Sequence, residues 1–268
     1  MQGAIAKDRP AATRGHDPAV RIVNGTGTGT VVLICDHASN RFPAPYDTIL
    51  GLSQKDKERH IAWDPGAFGV ASAMAERLDA PLVYSTVSRL VIDCNREEDA
   101  DDLIPAISET TPIPGNSHIS GEERELRLGL AHRPFHAAID ALLDERQRLG
   151  RSTVLVSVHS YTPIYMGQSR PWEIGLIANT DRRLFEPALA RLRAETAYQV
   201  GDNEPYSPAD GVYYTLIRHG ENRGLPSLMI EIRNDEIATP AAEHDWGALL
   251  AETVHEALKT AGAGGAHA

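Results

Sequence analysis

The sequence has little of three features that would point to other classes of protein. It has only two cysteines, Cys35 and Cys94, which argues against a disulfide scaffold and fits a reduced, cytoplasmic compartment. It has no apolar run of about 18 residues, the length that a membrane-spanning helix needs. Its 26 basic residues are outnumbered by 37 acidic ones, and the net charge of −11 argues against nucleic acid or an anionic membrane as a partner.

Four apolar, β-branched segments are the most informative features that are present, because each ends abruptly in polar residues. The four segments are VVLICDHASN (31–40), SRLVIDCNRE (88–97), VLVSVHS (154–160) and PSLMIEIRND (226–235). Nearly continuous Val, Ile and Leu is typical of parallel strands that are buried on both faces. Because ligands collect at the carboxyl ends of such strands, we expect these polar residues to converge on one edge of one sheet.

Helical segments alternate with the apolar segments along the chain. Helices are predicted from Asp64-Pro65 through 66–77, over 121–149 with a kink at Pro134, over 182–196 and over 240–260. Shorter strands are predicted at 81–87, 89–93 and 172–179, and a strand or a strand followed by a turn at 212–220. This alternation predicts a three-layer α/β/α fold around a mixed, largely parallel central sheet. We expect one domain over residues 29–260, a flexible arm at 1–28 and a disordered tail at 261–268.

A metal site is predicted from two histidines, because His37 and His159 each follow a buried strand. Zinc in catalytic sites prefers neutral imidazoles and a carboxylate, with one position open for water. The chain has no HExxH motif, so the ligands must come from separate strands. For the third ligand we favour Asp64 over Asn40, although a helix N-cap is the structural alternative for Asp64. Asp36 is expected to orient His37 from behind.

Glu231 is the candidate general base, because it interrupts an otherwise apolar strand in MIEIR. A buried carboxylate is unfavourable unless it is paired. One possibility is a structural pair with Arg233, which shares its face of the strand. The other is a catalytic role, since burial raises the pKa of a carboxylate and suits it to accept a proton from water.

Several arginines predict an anionic substrate. Arg89, Asn95 and Arg96 are close together in SRLVIDCNR, and Arg218 and Arg233 are further candidates. One arginine beside a metal can polarise a scissile carbonyl and stabilise the oxyanion. Another can bind a substrate carboxylate through two hydrogen bonds. The structural alternative is a surface ion-pair cluster with the acidic stretch 97–102.

The order of these motifs resembles the N-formylglutamate amidohydrolase family over roughly residues 30–260. The resemblance is carried by DHASN, HIAWDPGA, SRLVIDCNRE, HRPFH, VSVHS and IEIRND. It implies the phosphorylase/hydrolase-like fold of zinc carboxypeptidases and aspartoacylases, with one Zn²⁺. The implied roles are metal binding for His37 and His159, carbonyl polarisation for Arg89, carboxylate binding for Asn95 and Arg96, and general base for Glu231. The chain departs from those relatives at Asn40, where they carry a metal-binding glutamate, and in having DHAS where the histidine-utilisation deformylases have PHSG.

We therefore predict a zinc-dependent amidohydrolase that cleaves an N-formyl or other N-acyl group from a small acidic amino acid such as N-formyl-L-glutamate. Two other functions fit the same residues. One is a carboxypeptidase-type peptidase, and the other is a non-catalytic module that binds acidic ligands without metal. The sequence leaves the oligomeric state open.

Overall fold

The predicted buried strands assemble into one central sheet. The structure is a computed structural model that describes residues 17–264. Its strands, in chain order, are β1 (Val20–Val23), β2 (Val31–Cys35), β3 (Leu82–Ser85), β4 (Ile107–Ser108), β5 (Thr111–Pro112), β6 (Val154–Tyr161), β7 (Ile164–Tyr165), β8 (Gln168–Ser169), β9 (Ile174–Ile177), β10 (Val200–Asp202) and β11 (Ser227–Arg233). Seven of them form the sheet in the order β1-β3-β2-β6-β11-β9-β10. The pairs β4–β5 and β7–β8 are separate short hairpins.

The sheet is mixed and mostly parallel, as predicted. Strands β3, β2, β6 and β11 run parallel to one another, and β9 runs parallel to β10. The antiparallel contacts are those of β1 with β3 and of β11 with β9. Strands β2, β6 and β11 are therefore adjacent and end at the same edge, which is where three of the four polar segments follow.

Helices cover both faces of the sheet. They are α1 (Tyr46–Ile49), α2 (Gln54–Glu58), α3 (Ala67–Arg77), α4 (Gly121–Arg127), α5 (Arg133–Arg148), α6 (Phe185–Glu195), α7 (Tyr214–His219) and α8 (Pro240–Gly264). One apolar core joins the sheet to α3, α6 and α8, and a second core on the opposite face joins it to α5 and α7. Strand β2 serves both, since Leu33 faces the first core and Ile34 the second, which explains its unbroken apolar sequence.

The long helix predicted over 121–149 is interrupted close to Pro134, where a kink was predicted. A π-helical turn, Leu128–His132, separates α4 from α5, and Pro134 lies in the first turn of α5. Proline has no N–H to donate to the preceding turn, so the regular hydrogen-bond pattern cannot run through it. The interruption turns His132 and His136 towards the interior, where both are fully buried.

Four local predictions were wrong. Residues 212–220 are not a strand, because their buried positions Thr215, Leu216 and His219 follow helical spacing in α7. Residues 89–91 form a turn and 92–93 have no regular structure, so their side chains do not alternate as in an extended chain. The N-cap of α3 is Gly66 with φ of 80°, and not Asp64. In the predicted arm, Val20–Val23 pairs with β3 as an edge strand, while residues 1–16 lie outside the described residues.

The predicted C-terminal tail also begins later than expected. Helix α8 continues to Gly264, so 261–264 belong to a helix. Residues 265–268 lie outside the described residues.

A buried arginine ties the N-terminal edge of the domain to the sheet. Arg146 of α5 is 2% exposed, and no carboxylate among the described residues pairs with it. Its guanidinium donates to the carbonyls of Gly27 (3.3 Å), Gly29 (2.6 Å) and Ser152 (3.1 Å). These carbonyls belong to the segments that lead into β2 and β6, so this side chain holds together the starts of two central strands.

We expect Arg146→Met to lower the free energy of unfolding by about 2–4 kcal/mol, because buried carbonyls lose their donors. Urea unfolding of the purified variants measures this change. Arg148→Met on the same helix is the control, since Arg148 is exposed and pairs only with Glu145. Equal unfolding midpoints for the two variants would contradict the role of Arg146.

Candidate active site

A cavity of about 730 Å³ opens at the carboxyl ends of β2, β6 and β11. Most of the residues predicted from the sequence line it, namely His37, Asp64, Arg89, Asn95, Arg96, His159 and Glu231. They come from separate parts of the chain, and the parallel order of the strands brings them to one edge.

His37, Asp64 and His159 form a group that could hold a metal ion. Each offers one ligand atom, and the three atoms lie within 4.8 Å of one another. Oδ2 of Asp64 is 2.8 Å from Nδ1 of His159 and 3.4 Å from Nδ1 of His37. All three side chains are buried, and among the described residues Nδ1 of His37 has no hydrogen-bond partner. Two imidazole nitrogens and one carboxylate oxygen make a donor set that suits zinc.

In each histidine of this group, the ring nitrogen that points away from Asp64 contacts a buried carboxylate. Nε2 of His37 lies 2.7 Å from Oδ1 of Asp93, and Nε2 of His159 lies 3.2 Å from Oδ2 of Asp36. Ser157 adds a contact of 2.8 Å to Nε2 of His159. When Nε2 donates to a carboxylate, the lone pair is left on Nδ1, the atom that faces Asp64. This carboxylate–histidine arrangement is common behind metal ligands.

Asp36 does not contact His37, the histidine that it was predicted to orient. Asp36 contacts His159 and not His37, because it follows β2, whose neighbour in the sheet is β6. Asp93, whose importance the sequence did not reveal, takes the place behind His37. Its position depends on the turn at 89–91, for which a strand had been predicted.

The pKa values of the two histidines and of Asp36 shift in different directions. Burial, reinforced by the charge of Arg89, lowers the pKa of His37 to about 4, so this imidazole is neutral as a metal ligand must be. Burial opposes the charged form of His159 too, but the hydrogen bond to Asp36 and the charge of Glu231 outweigh it and raise that pKa. Burial likewise disfavours ionised Asp36, yet contact with His159 brings its pKa to about 2.

Asp64, and not Asn40, lies beside the two histidines. Nδ2 of Asn40 donates to the carbonyl of Lys57 at 3.0 Å, away from the group. The helix-cap alternative for Asp64 does not apply, because its side chain turns into the cavity while Gly66 begins α3. The other oxygen of Asp64, Oδ1, accepts a hydrogen bond from Arg89.

Glu231 lies on β11 directly beside His159 on β6. It is 5% exposed, and its Oε2 has no hydrogen-bond partner among residues 17–264. Burial raises the pKa of Glu231, although the nearby His159 and Arg89 partly oppose the shift. The structural alternative fails, since Arg233 pairs with Asp235 and Glu236 at 2.8 Å each. A buried, unpaired carboxylate in a cavity has the character of a general base.

The turn that carries Arg96 is held in place by the two histidines of HRPFH. Nε2 of His132 lies 2.8 Å from the carbonyl oxygen of Arg96, and Nε2 of His136 lies 2.9 Å from that of Cys94. The side chain of Asn95 accepts from the backbone N–H of Thr215 at 3.0 Å. The amide of Asn95 is thus used to attach α7 to the turn.

Two predicted arginines lie outside the cavity, and one that was not predicted lies inside it. Arg218 contacts Tyr214 and Asp140 on the far side of α7, and Arg233 is held by acidic neighbours after β11. Arg170 lines the cavity from the segment after β8. No periodic pattern marks this irregular segment, so the sequence offered only its content of tyrosine and arginine as a signal.

An α/β protein with this cavity has the architecture and the side chains of a hydrolase. Residues 29–238 match the model of the N-formylglutamate amidohydrolase family. The chain belongs to that family and is thus a hydrolase that acts on amide bonds.

Two solved structures are similar to the chain. A gene product of Agrobacterium tumefaciens is 40% identical, with a TM-score of 0.89, and the match covers 91% of this chain and 96% of that one. An N-formylglutamate amidohydrolase from Ralstonia eutropha is 18% identical, with a TM-score of 0.65 over 91% of this chain and 100% of that one, a likeness of fold. Among curated proteins, none matches. Within residues 17–264, no helix is long and apolar enough to cross a membrane.

We expect protein purified without chelator to contain about one divalent metal per chain, and His37→Ala or His159→Ala to lose it. Elemental analysis measures the metal content. The control is His60→Ala, because His60 lines the same cavity but contacts Glu109 and not the histidine group. Asp93→Asn should weaken metal affinity by about 10–100-fold, since it removes the charge behind His37. Full metal occupancy in the double histidine variant would disprove the site.

Proposed function

We propose that this protein is a zinc-dependent amidohydrolase that removes an N-formyl group, or a similar small acyl group, from an acidic amino acid such as N-formyl-L-glutamate. Membership of the family supports the amide-bond chemistry. The observation that carries the finer proposal is the His37–Asp64–His159 group beside an unpaired buried glutamate in one cavity.

His37, Asp64 and His159 would hold the metal. The free Nδ1 of His37 and the carboxylates behind both histidines fit a divalent cation. When bound, zinc lowers the pKa of a coordinated water and polarises the amide carbonyl. The likeness to zinc carboxypeptidases that the motifs imply is part of this proposal, and it is supported by ligands that follow neighbouring parallel strands.

Glu231 would act as the proton carrier of the reaction. Its free Oε2 accepts the proton of the attacking water, and the raised pKa then suits it to deliver the proton to the nitrogen of the leaving amine. Breakage of the amide bond gives formate and the free amino acid.

Arg89 would stabilise the charge that develops on the carbonyl oxygen. Its guanidinium is anchored on Oδ1 of Asp64 and on the carbonyl of His60. Its buried Nε has no hydrogen-bond partner among the described residues. A fixed donor without a partner can stabilise an oxyanion with little reorganisation.

Arg96 would bind the α-carboxylate of the substrate. Nε of Arg96 donates to Asp102 at 2.7 Å, and NH1 donates to the carbonyl of Asn95 at 2.9 Å, so the guanidinium is oriented at the cavity wall. Asn95 supports this orientation through its contact with α7.

The extent of the catalytic domain, its location in the cell and its class of partner belong to the same proposal. We infer that residues 29–260 are one catalytic domain, since a single sheet runs through them. A cytoplasmic location fits the two cysteines, which are buried and unpaired with each other. The substrate would be a small anion, and no nucleic acid or membrane partner is expected of a chain with net charge −11.

We predict that Glu231→Gln keeps its metal and its substrate affinity, whereas kcat falls by roughly 10²-fold or more, because glutamine cannot accept the proton. The measurement is kcat for N-formyl-L-glutamate, with metal content and melting temperature taken on the same preparation. Glu243→Gln on α8 is the control, since this residue lies on the far face of the sheet.

Normal turnover of a stable, metal-loaded Glu231→Gln protein would rule out this mechanism. Substrate assays test the alternatives on the wild-type protein. Hydrolysis of short peptides in preference to N-formyl amino acids would indicate a peptidase. Binding of acidic ligands without metal and without turnover would indicate a binding module.

We predict that Arg96→Lys mainly raises KM, by roughly 30-fold or about 2 kcal/mol, because lysine cannot make the two parallel hydrogen bonds of a guanidinium. Steady-state kinetics with N-formyl-L-glutamate and with its α-amide measure the effect. The difference between the two substrates should shrink in the variant. An unchanged preference for the free α-carboxylate would show that Arg96 does not bind it.

A further inference from the structure

We propose that Arg170 binds a second carboxylate of the substrate, so that the cavity selects N-acyl amino acids with two carboxylates. This inference rests on the proposed function, because it assigns another part of the same substrate to the same cavity.

Three arginines line the cavity, and Arg170 differs from the other two in its partners. Arg89 is paired with Asp64, and Arg96 with Asp102. No carboxylate among residues 17–264 lies within ion-pair distance of Arg170. Its guanidinium makes one hydrogen bond within this part of the chain, from NH1 to the hydroxyl of Tyr206 at 2.8 Å. A guanidinium has five N–H donors, so most of the binding capacity of Arg170 remains available.

Arg170 is also held rigidly. It is 8% exposed, and the rings of three tyrosines surround its guanidinium. The distances from the guanidinium carbon to the ring centroids are 4.4 Å for Tyr165, 4.6 Å for Tyr206 and 5.6 Å for Tyr161. Aromatic faces attract a cation without neutralising it. They therefore fix the plane of the guanidinium and leave its edge for an anion.

Two features of the backbone place these rings around Arg170. Its N–H donates to the carbonyl of Pro163 at 2.8 Å, which closes the β7–β8 hairpin that carries Tyr165. On the other side, a Cβ at Gly175 of β9 would lie 1.7 Å from the carbonyl oxygen of Glu204. Only glycine permits that approach, and it places the segment leading to Tyr206 against the sheet edge.

A structural role alone does not account for this arrangement. Arg146, which is also buried, donates to three backbone carbonyls and a threonine hydroxyl. Arg170 has one neutral acceptor, and a buried charge with so little compensation is unfavourable. A carboxylate from the substrate would supply the two parallel acceptors that a guanidinium fits best. Glu231 lines the same cavity, so a molecule held by Arg170 lies near the reacting group.

The experiment compares ligands that differ only in the second carboxylate. L-Glutamate and L-glutamine have nearly the same size and the same α-carboxylate, and neither carries the N-acyl amide that the proposed reaction cleaves. Isothermal titration calorimetry gives the ratio of their dissociation constants for the wild type, Arg170→Met and Arg170→Lys. We expect the wild type to prefer glutamate by about tenfold or more, and Arg170→Met to bind both within about threefold.

Arg182→Met is the matched control, because Arg182 also stacks on an aromatic ring, at 3.8 Å from that of Phe185, but does not line the cavity. It should keep the wild-type preference. Arg170→Lys retains the charge and tests the geometry, and it should lose most of the preference. If Arg170→Met does not fold, as judged by its melting transition, the ratio measured for Arg170→Lys tests the inference instead.

A kinetic comparison separates this inference from the proposed function. The ratio of kcat/KM for N-formyl-L-glutamate over N-formyl-L-glutamine should fall about tenfold in Arg170→Met. Hydrolysis of both substrates with an unchanged ratio would overturn the role of Arg170 and leave the proposed function intact. A glutamate preference that depends on Arg170, in a protein without deformylase activity, would support the second-carboxylate site and overturn the proposed reaction. Equal binding of glutamate and glutamine by the wild type would overturn the inference.

Discussion

The carboxylate of Asp64 is the interaction around which the site is organised. Its Oδ2 faces Nδ1 of both His37 and His159, and its Oδ1 accepts from Arg89. One buried side chain thus links the candidate metal ligands to the candidate oxyanion donor. The backbone supports this position, since the N–H of Asp64 donates to the carbonyl of His37 at 2.9 Å. Displacing Asp64 would disturb both candidate metal-binding histidines and the candidate oxyanion donor.

A second set of buried side chains orients the two histidines. Asp93 and Asp36 lie behind the two histidines and orient their Nδ1 atoms forward. Thr215 donates to Asp36 at 2.5 Å, and the N–H of the same residue donates to Asn95. Helix α7 therefore connects the histidine group with the turn that carries Arg96.

Two of the three arginines that line the cavity are paired with carboxylates of the protein, and the third has no such pair among the described residues. Arg89 and Arg96 are oriented by carboxylates of the protein, so each presents only part of its guanidinium to a ligand. Arg170 is oriented by aromatic rings instead and has no ion pair within residues 17–264. Under the proposed function, Arg96 and Arg170 would give a net acidic protein a local site for anions.

The strands and their polar ends could be predicted from the sequence, because an apolar run and the residue that ends it are local features. His37, His159 and Glu231 were found in this way, and the parallel order of the strands brought them together. The choice of Asp64 over Asn40 was also made from the sequence. The carboxylate partner of each histidine and the replacement of Arg233 by Arg170 in the cavity depended on the tertiary structure. Asp36, Asp93 and Arg170 lie in turns and loops, where side-chain direction follows no sequence period and is fixed by whichever distant segment packs against it.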